Sequence, residues 1–119
     1  MAEGLRLAGV GIDLAHVPRL AQVVQRRRRV LTLICAEEER PEAADARRAA
    51  ELWTGKEAAV KALGTGMWRE GVNWSDVRVL PGGEIKLVGA AARACQGYVT
   101  VDFTLMGDHM LAVAFHWAR

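Results

Sequence analysis

Three short stretches of the sequence carry residue types that can do chemistry. Asp13 closes the apolar run Leu7-Ala-Gly-Val-Gly-Ile-Asp13-Leu14. A carboxylate at the end of such a run is costly to desolvate without a partner. A cation is one partner; a turn or helix cap is the plainer alternative. The second stretch is Lys56-Glu57-Ala-Ala-Val-Lys61, in which Glu57 and Lys61 stand four apart and share one helix face. Taken alone, that pair also fits a surface ion pair worth about 0.3–0.5 kcal/mol. The third is Gly64-Thr65-Gly66, small enough to admit a phosphate close to the backbone, or to form an ordinary helix end and turn. Together the three suggest a site for a divalent cation and a phosphate. Asp13 and Glu57, from separate elements, can hold Mg²⁺, which takes one or two protein carboxylates and completes its octahedron with substrate phosphates and water. A nearby lysine can serve as base or phosphate ligand.

The elements that must position these residues follow from patterning. The run 7–14 reads as a strand in which Gly9 and Gly11 allow another backbone to come close. Pro18 suits the first turn of a helix. Leu20, Val23, Val24, Val30 and Leu31 then predict an amphipathic helix, interrupted around Arg26 to Arg29. Residues 37–48 are polar and Ala-rich, with Pro41 as punctuation, and read as a surface loop leading into a helix start. The clearest helix spans 51–63, with Leu52, Ala59, Val60 and Leu63 at helical spacing and Gly64 just past its end. Residues 77–80 and 84–88 flank Pro81-Gly82-Gly83 as a β-hairpin. A short Ala-rich helix over 89–96 ends at Gly97. A second hairpin pairs 98–105 with 109–117, its inward side expected to be Val99, Val101, Phe103, Leu105, Leu111, Val113, Phe115 and Trp117. This order of elements predicts an α+β fold with a mainly antiparallel sheet packed with helices.

Composition narrows the classes. The 119 residues fit one domain, 1–119, and 51% apolar content supplies a core. Net charge is only +2, but it is laid out in blocks: Arg26 to Arg29 in a row, then Glu37 to Glu39. No aromatic residues interleave with the Arg run, so no nucleic-acid partner is expected. Cys35 and Cys95 lack metal-ligand spacing and fit small buried side chains in a reducing cytosol. The N-terminus shows no signal-peptide pattern, and no apolar run approaches the ~20 residues of a membrane span. A cytoplasmic protein without membrane contact is expected. His109 and His116 fall in a strand and read as structural. Trp53, Trp68, Trp74 and Trp117 read as core or subunit-contact residues.

Val10-Gly-Ile-Asp-Leu14, Arg19 and Trp53-Thr-Gly-Lys-Glu-Ala-Ala-Val-Lys-Ala-Leu-Gly-Thr-Gly66 together resemble the 4′-phosphopantetheinyl transferases, and more narrowly the small holo-(acyl-carrier-protein) synthase type. That family has a G-hydrophobe-D motif near its start and a W/F-x-x-K-E-A-x-x-K-A motif mid-chain. Trp74-Ser-Asp-Val-Arg-Val, the following Gly/Pro turn and the closing hairpin are also similar. The resemblance implies the family fold and transfer of the 4′-phosphopantetheine arm of coenzyme A to a serine of an apo acyl carrier protein of fatty-acid or polyketide synthesis. Adenosine 3′,5′-bisphosphate would be released. It further implies Asp13 and Glu57 as Mg²⁺ ligands, with Glu57 and Lys61 in the catalytic set and Lys61 helping to deprotonate the serine. Lys56 would stand beside the phosphates of coenzyme A, and Gly64, Thr65 and Gly66 near the nucleotide. Small members form trimers with active sites between subunits. The acidic carrier protein would dock on a basic first helix, with Arg19, Arg26 and Arg29 as contacts, since spacings of seven and three keep residues near one helix face.

The sequence also departs from the family. Where small members commonly carry a Ser-His pair early in the last hairpin, this chain has Leu105 at the His position, with His109 four residues later. His16 replaces a usual acidic residue three after Asp13. The F-T-x-x-E signature is blurred to Ile34-Cys-Ala-Glu-Glu-Glu39, which leaves Glu38 and Glu39 both open as its acid. The missing Ser-His pair gives the alternative reading: a non-catalytic relative that binds carrier proteins or partner subunits.

Overall fold

Two strands rich in apolar residues close the chain and fold back on each other. A computed structural model describes residues 4–65 and 71–119; Gly66 and Trp68 lie outside the described residues. The strand Arg6–His16 (β1) leads into helices Val17–Arg26 (α1) and Arg29–Ile34 (α2). A 3-10 segment, Glu37–Ala44, precedes the long helix Ala46–Leu63 (α3). The short strands Val77–Val79 (β2) and Ile85–Leu87 (β3) pair antiparallel, as the Pro-Gly-Gly turn predicts. Helix Gly89–Ala94 (α4) is followed by Gly97–Met106 (β4) and His109–Ala118 (β5). The main sheet runs β1-β5-β4, all antiparallel. The expected α+β class holds.

Local chemistry sets the helix ends. Pro18 sits in the first turn of α1, whose start is capped by His16: its Nδ1 accepts from Arg19 N at 3.2 Å. The Arg run straddles the break between α1 and α2. Helix α3 begins five residues earlier than periodicity predicts, because the Asp45 side chain accepts from Arg47 N at 3.2 Å and caps it. It ends at Gly64, in the left-handed region at φ +80°.

Helix α3 lies across one face of the main sheet at very short range. A Cβ on Gly9 would fall 2.0 Å from the Ala62 carbonyl oxygen, and one on Gly11 would fall 1.9 Å from that of Ala58. No side chain fits between strand and helix there. The register puts Gly11 opposite Ala114, Asp13 opposite Ala112 and Ala15 opposite Met110. The helix-facing side of β5 is therefore Met110, Ala112, Ala114, His116 and Ala118, all buried.

This reverses the expected facing of β5. Leu111, Val113, Phe115 and Trp117 point to the other side of the sheet and are only half-buried. On β4, Val99 and Val101 are buried as expected and Phe103 is half-buried, but Leu105 is exposed. Both faces of β5 are apolar, so period-two alternation cannot choose between them; side-chain size decides, because only small residues fit under α3. The bulky residues join Leu7, Val10, Ile12 and Leu14 of β1, which are 47–56% exposed. Cross-strand neighbours include Val10 with Phe115 and Ile12 with Val113. The β1 and β5 part of this sheet face is thus apolar and partly uncovered in the single chain, whereas β4 adds Thr100, Asp102 and Thr104 to it; an exposed apolar patch of this kind marks an interaction surface.

Gly11→Ala is expected to lower the unfolding free energy by about 3 kcal/mol or more, the top of the usual range for overpacking, because the obstacle is helix backbone. Gly64→Ala, whose added methyl would meet nothing within 4 Å, is expected to lose only the left-handed backbone cost of about 1–2 kcal/mol. Denaturant unfolding of both variants checks this. Equal losses would contradict the close strand–helix contact.

Candidate active site

The contact between β1 and α3 brings Asp13 to Glu57 and Lys61. Asp13 stands on the helix-facing side of β1, two residues beyond Gly11. Its Oδ1 accepts from Lys61 Nζ at 3.1 Å, and the same ammonium donates to Ile12 O at 3.0 Å. Its other oxygen, Oδ2, is buried and has no hydrogen-bond partner among the described residues. Burial raises the Asp13 pKa, and Lys61 partly offsets the rise. The Glu57 pKa is also raised, first by burial and then by the negative charge of Asp13, with Lys61 again opposing. Two carboxylates from separate elements therefore feel one another's charge in a partly desolvated place, with Lys61 bonded to one of them.

That donor set fits a divalent cation of the Mg²⁺ kind. Among the described residues no group of three or more His, Cys, Asp or Glu is placed to hold a metal. Mg²⁺ does not need one, since it binds through one or two carboxylates and draws its other ligands from phosphates and water. The orphaned Asp13 Oδ2 supplies an unused ligand atom, and the mutual repulsion that raises the Glu57 pKa is what a cation between the two would relieve.

Thr65 follows the left-handed Gly64 at the end of α3. It is buried, and its hydroxyl has no hydrogen-bond partner among the described residues. A buried hydroxyl without a partner costs about 1–3 kcal/mol; a phosphate or ribose oxygen arriving here would satisfy it. Gly64 itself is exposed.

Lys56 requires a correction. The expectation that it stands beside coenzyme A phosphates is not met, because its side chain is fully buried. Its three ammonium protons go to Glu39 Oε1 at 2.7 Å, to Trp74 O at 2.8 Å and to Val77 O. Burial lowers the Lys56 pKa, and the Glu39 carboxylate opposes that shift. Glu39 in turn accepts from Ala36 N at 2.8 Å and Val79 N at 2.9 Å. The two acids left open in the sequence differ in their surroundings. Glu39 is the buried acid, whereas Glu38 is exposed and pairs with Arg78 at 2.8 Å. The polar segment expected to be a surface loop thus hides one of its carboxylates. Only the family signature pointed to it; composition and periodicity did not.

Arg19 and Arg26 are exposed on α1 and border one shallow depression with Gln22 and Val23. Arg29 is not on that helix. It opens α2 and flanks Val30, Thr32 and Leu33, so the one-face argument holds for Arg19 and Arg26 only. A groove of about 370 Å³ runs from Leu14, next to Asp13, past His16, Arg19 and Val23 to Val30 and Trp53. The groove thus lies between the end of β1, the basic helix α1 and Trp53 of α3.

The other residues singled out in the sequence, where described, make packing and hydrogen-bond contacts. His116 is buried and its Nε2 accepts from Gln96 N at 3.1 Å; burial and Arg6 lower its pKa. His109 packs edge-on against His16, ring centroids 5.0 Å apart. Trp53 and Trp74 pack against each other at 4.8 Å. Trp117 lies on the uncovered sheet face and donates to Thr100 Oγ1 at 3.1 Å. Both cysteines are free, Cys35 buried and Cys95 partly so.

Comparison with known proteins agrees with this geometry. Residues 9–114 match the 4′-phosphopantetheinyl transferase superfamily. The holo-(acyl-carrier-protein) synthase of Koribacter versatilis is 43% identical over 100 residues, covering 76% of this chain and 79% of its own length. The holo-ACP-synthase of Plasmodium yoelii superposes with a TM-score of 0.81 at 17% identity, covering 98% of this chain and 99% of that one, and speaks for the fold. The Chronobacterium ammoniagenes ACPS–CoA complex superposes at 0.72 with 25% identity, covering 98% and 100%. The match over residues 9–114, together with the 43%-identical relative, places the chain in the 4′-phosphopantetheinyl transferase superfamily.

Proposed function

We propose that the chain transfers the 4′-phosphopantetheine group of coenzyme A to a serine of an apo acyl carrier protein and releases adenosine 3′,5′-bisphosphate. The observation that carries this reading is the Asp13–Glu57–Lys61 cluster with its unpartnered Asp13 Oδ2. A relative solved with coenzyme A supports the donor, and the name of the 43%-identical relative supports the acceptor. Asp13 and Glu57 would hold Mg²⁺. When bound, it would supply charge neutralisation across the pyrophosphate and polarise the attacked phosphoryl group. Lys61 is half-exposed, so its ammonium can turn from Asp13 to a phosphate oxygen once the carboxylate has another partner. To take the serine proton, directly or through a water, Lys61 must first release one of its own ammonium protons to solvent, and that neutral amine is assigned as the base. The serine oxygen forms the new bond to phosphorus as the bond to the bisphosphate leaving group breaks. Gly64, Thr65 and Gly66 are assigned to the nucleotide side.

Arg19 and Arg26, with Arg29 from the neighbouring helix, are assigned to the acidic carrier protein. Their charges chiefly raise encounter rate and exclude wrong partners. The uncovered apolar sheet face supports a homotrimer closed through that face. Two free cysteines support a cytoplasmic location, and no helix among the described residues is long and apolar enough to cross a membrane.

Incubation with coenzyme A, Mg²⁺ and apo carrier protein should add the phosphopantetheine mass, read by mass spectrometry. Asp13→Ala and Glu57→Ala should each lose about 100-fold or more in rate. Arg19→Gln combined with Arg26→Gln should raise the KM for carrier protein while leaving that for coenzyme A. No mass gain with several carrier proteins would refute the transfer.

The raised carboxyl pKa values also make a stability prediction. The folded chain keeps these protons at pH values where the unfolded chain has lost them. The resulting stabilisation is full below the ordinary carboxyl values of about 4 and is lost as pH rises through the raised values. In chelator near neutral pH, Glu57→Gln should therefore melt higher than the parent, with the gain vanishing toward about pH 4. Added Mg²⁺ should raise the parent's Tm more than the variant's. For assembly, light scattering should give three times the 13.0 kDa chain mass, and a monomer would refute the trimer.

A further inference from the structure

The sequence places Lys56 and Glu57 side by side, about 100° apart around α3. Glu57 faces Asp13, whereas Lys56 faces inward and is fully buried. Its three protons reach three separate segments: Glu39 in the 3-10 segment, the Trp74 carbonyl, and the Val77 carbonyl at the start of β2. Glu39 adds two more tethers, from Ala36 N at the end of α2 and from Val79 N in β2. Every proton of the ammonium and both oxygens of the carboxylate are therefore engaged, with no solvent in reach.

Such a pair is weak evidence for stability. Desolvating two charges costs several kcal/mol, and well-packed apolar residues often do as well or better. Its geometric effect is more definite. Charge-assisted hydrogen bonds at five points fix both the rotation of α3 about its axis and its position along that axis. The neighbouring Glu57 inherits both settings. Glycines of β1 set how near α3 comes at Ala58 and Ala62; the hydrogen bonds of Lys56 add tethers from the same helix to three other segments.

We propose that the Glu39–Lys56 pair is the positioning device for Glu57: it holds the Glu57 carboxylate at the separation from Asp13 that a divalent cation requires. This rests on the proposed function, in that Asp13 and Glu57 are taken as the cation ligands. Neither Glu39 nor Lys56 touches the cation or the substrate; both act through the setting of α3.

The test uses Mn²⁺ as a spectroscopic stand-in for Mg²⁺, with the full chain and no turnover. Free and bound Mn²⁺ are separated by electron paramagnetic resonance, and Tm is measured on the same samples. Glu39→Gln keeps the side-chain volume and removes the charge; it should weaken Mn²⁺ binding about 10-fold, the usual cost of losing a supporting partner. Lys56→Met strands the Glu39 charge in the core and should lose both stability and Mn²⁺ affinity. Lys56→Met combined with Glu39→Gln removes the stranded charge, so Tm should recover toward the parent while Mn²⁺ affinity stays low. Mn²⁺ affinity that is unchanged in Glu39→Gln, or that recovers together with Tm in the double variant, would mean the pair is only structural and would overturn the proposal. Asp13→Ala is the control: if it binds Mn²⁺ as tightly as the parent, the cation site itself is misassigned, and the positioning role goes with it.

Discussion

The contact on which this structure depends is backbone against backbone. Strand β1 meets α3 at Gly9 and Gly11, where the Ala62 and Ala58 carbonyl oxygens occupy the space a Cβ would need. That approach brings Asp13, two residues further along the strand, to Glu57 and Lys61 on the helix. Larger residues at either glycine would hold the helix away and separate the carboxylates. The short distance also governs the rest of the sheet. Beneath α3, β5 carries Ala112 and Ala114, so its bulky residues must take the opposite face. The exposed apolar face is thus a geometric consequence of the same packing that builds the site. A chain that brings α3 this close turns its bulky apolar residues outward.

The site is assembled at a cost to the fold. The Asp13 and Glu57 carboxyl groups sit where burial and mutual repulsion work against their charged forms. Asp13 Oδ2 and Thr65 Oγ1 lack hydrogen-bond partners among the described residues. Local conflicts of this sort are expected where a protein binds something, since the ligand supplies the missing interactions. Elsewhere the polar interior is satisfied. His116 has its partner, and the Glu39–Lys56 pair uses every donor and acceptor it has. The contrast between the bonded Glu39–Lys56 pair and the unpartnered Asp13 Oδ2 separates scaffold from candidate site.

Much of this was legible in the sequence because several levels agreed. Alternation and turn residues gave both hairpins, Pro18 and Gly64 marked helix ends, and the glycines at 9 and 11 announced a close approach. The candidate site was legible as a set, Asp13 with Glu57 and Lys61, only because the two motifs were read together. What was not legible depends on three-dimensional neighbours. The facing of β5 could not be read, because both its faces are apolar and the choice turns on what lies beneath α3. Burial of Lys56 could not be read, because a lysine beside a candidate metal-binding glutamate looks like a surface cation until Glu39 arrives from seventeen residues earlier. The reach of one helix face from Arg26 to Arg29 failed because α1 ends at Arg26.

The charge blocks of the sequence take on a physical meaning once the acids are located. Net charge is +2, so by count the Glu run nearly balances the Arg run. In space it does not. Glu39 is inside, neutralising Lys56, and Glu38 is held by Arg78. Arg19, Arg26 and Arg29 make no ion pair among the described residues and project into solvent. Two of the three carboxylates of the Glu run are thus matched within the fold, while Arg19 faces the groove between α1 and the end of β1. An acidic partner approaching from solvent meets a basic helix rather than a neutral protein. Over a Debye length of about 8 Å at physiological ionic strength, it is this local field and not the net charge that acts.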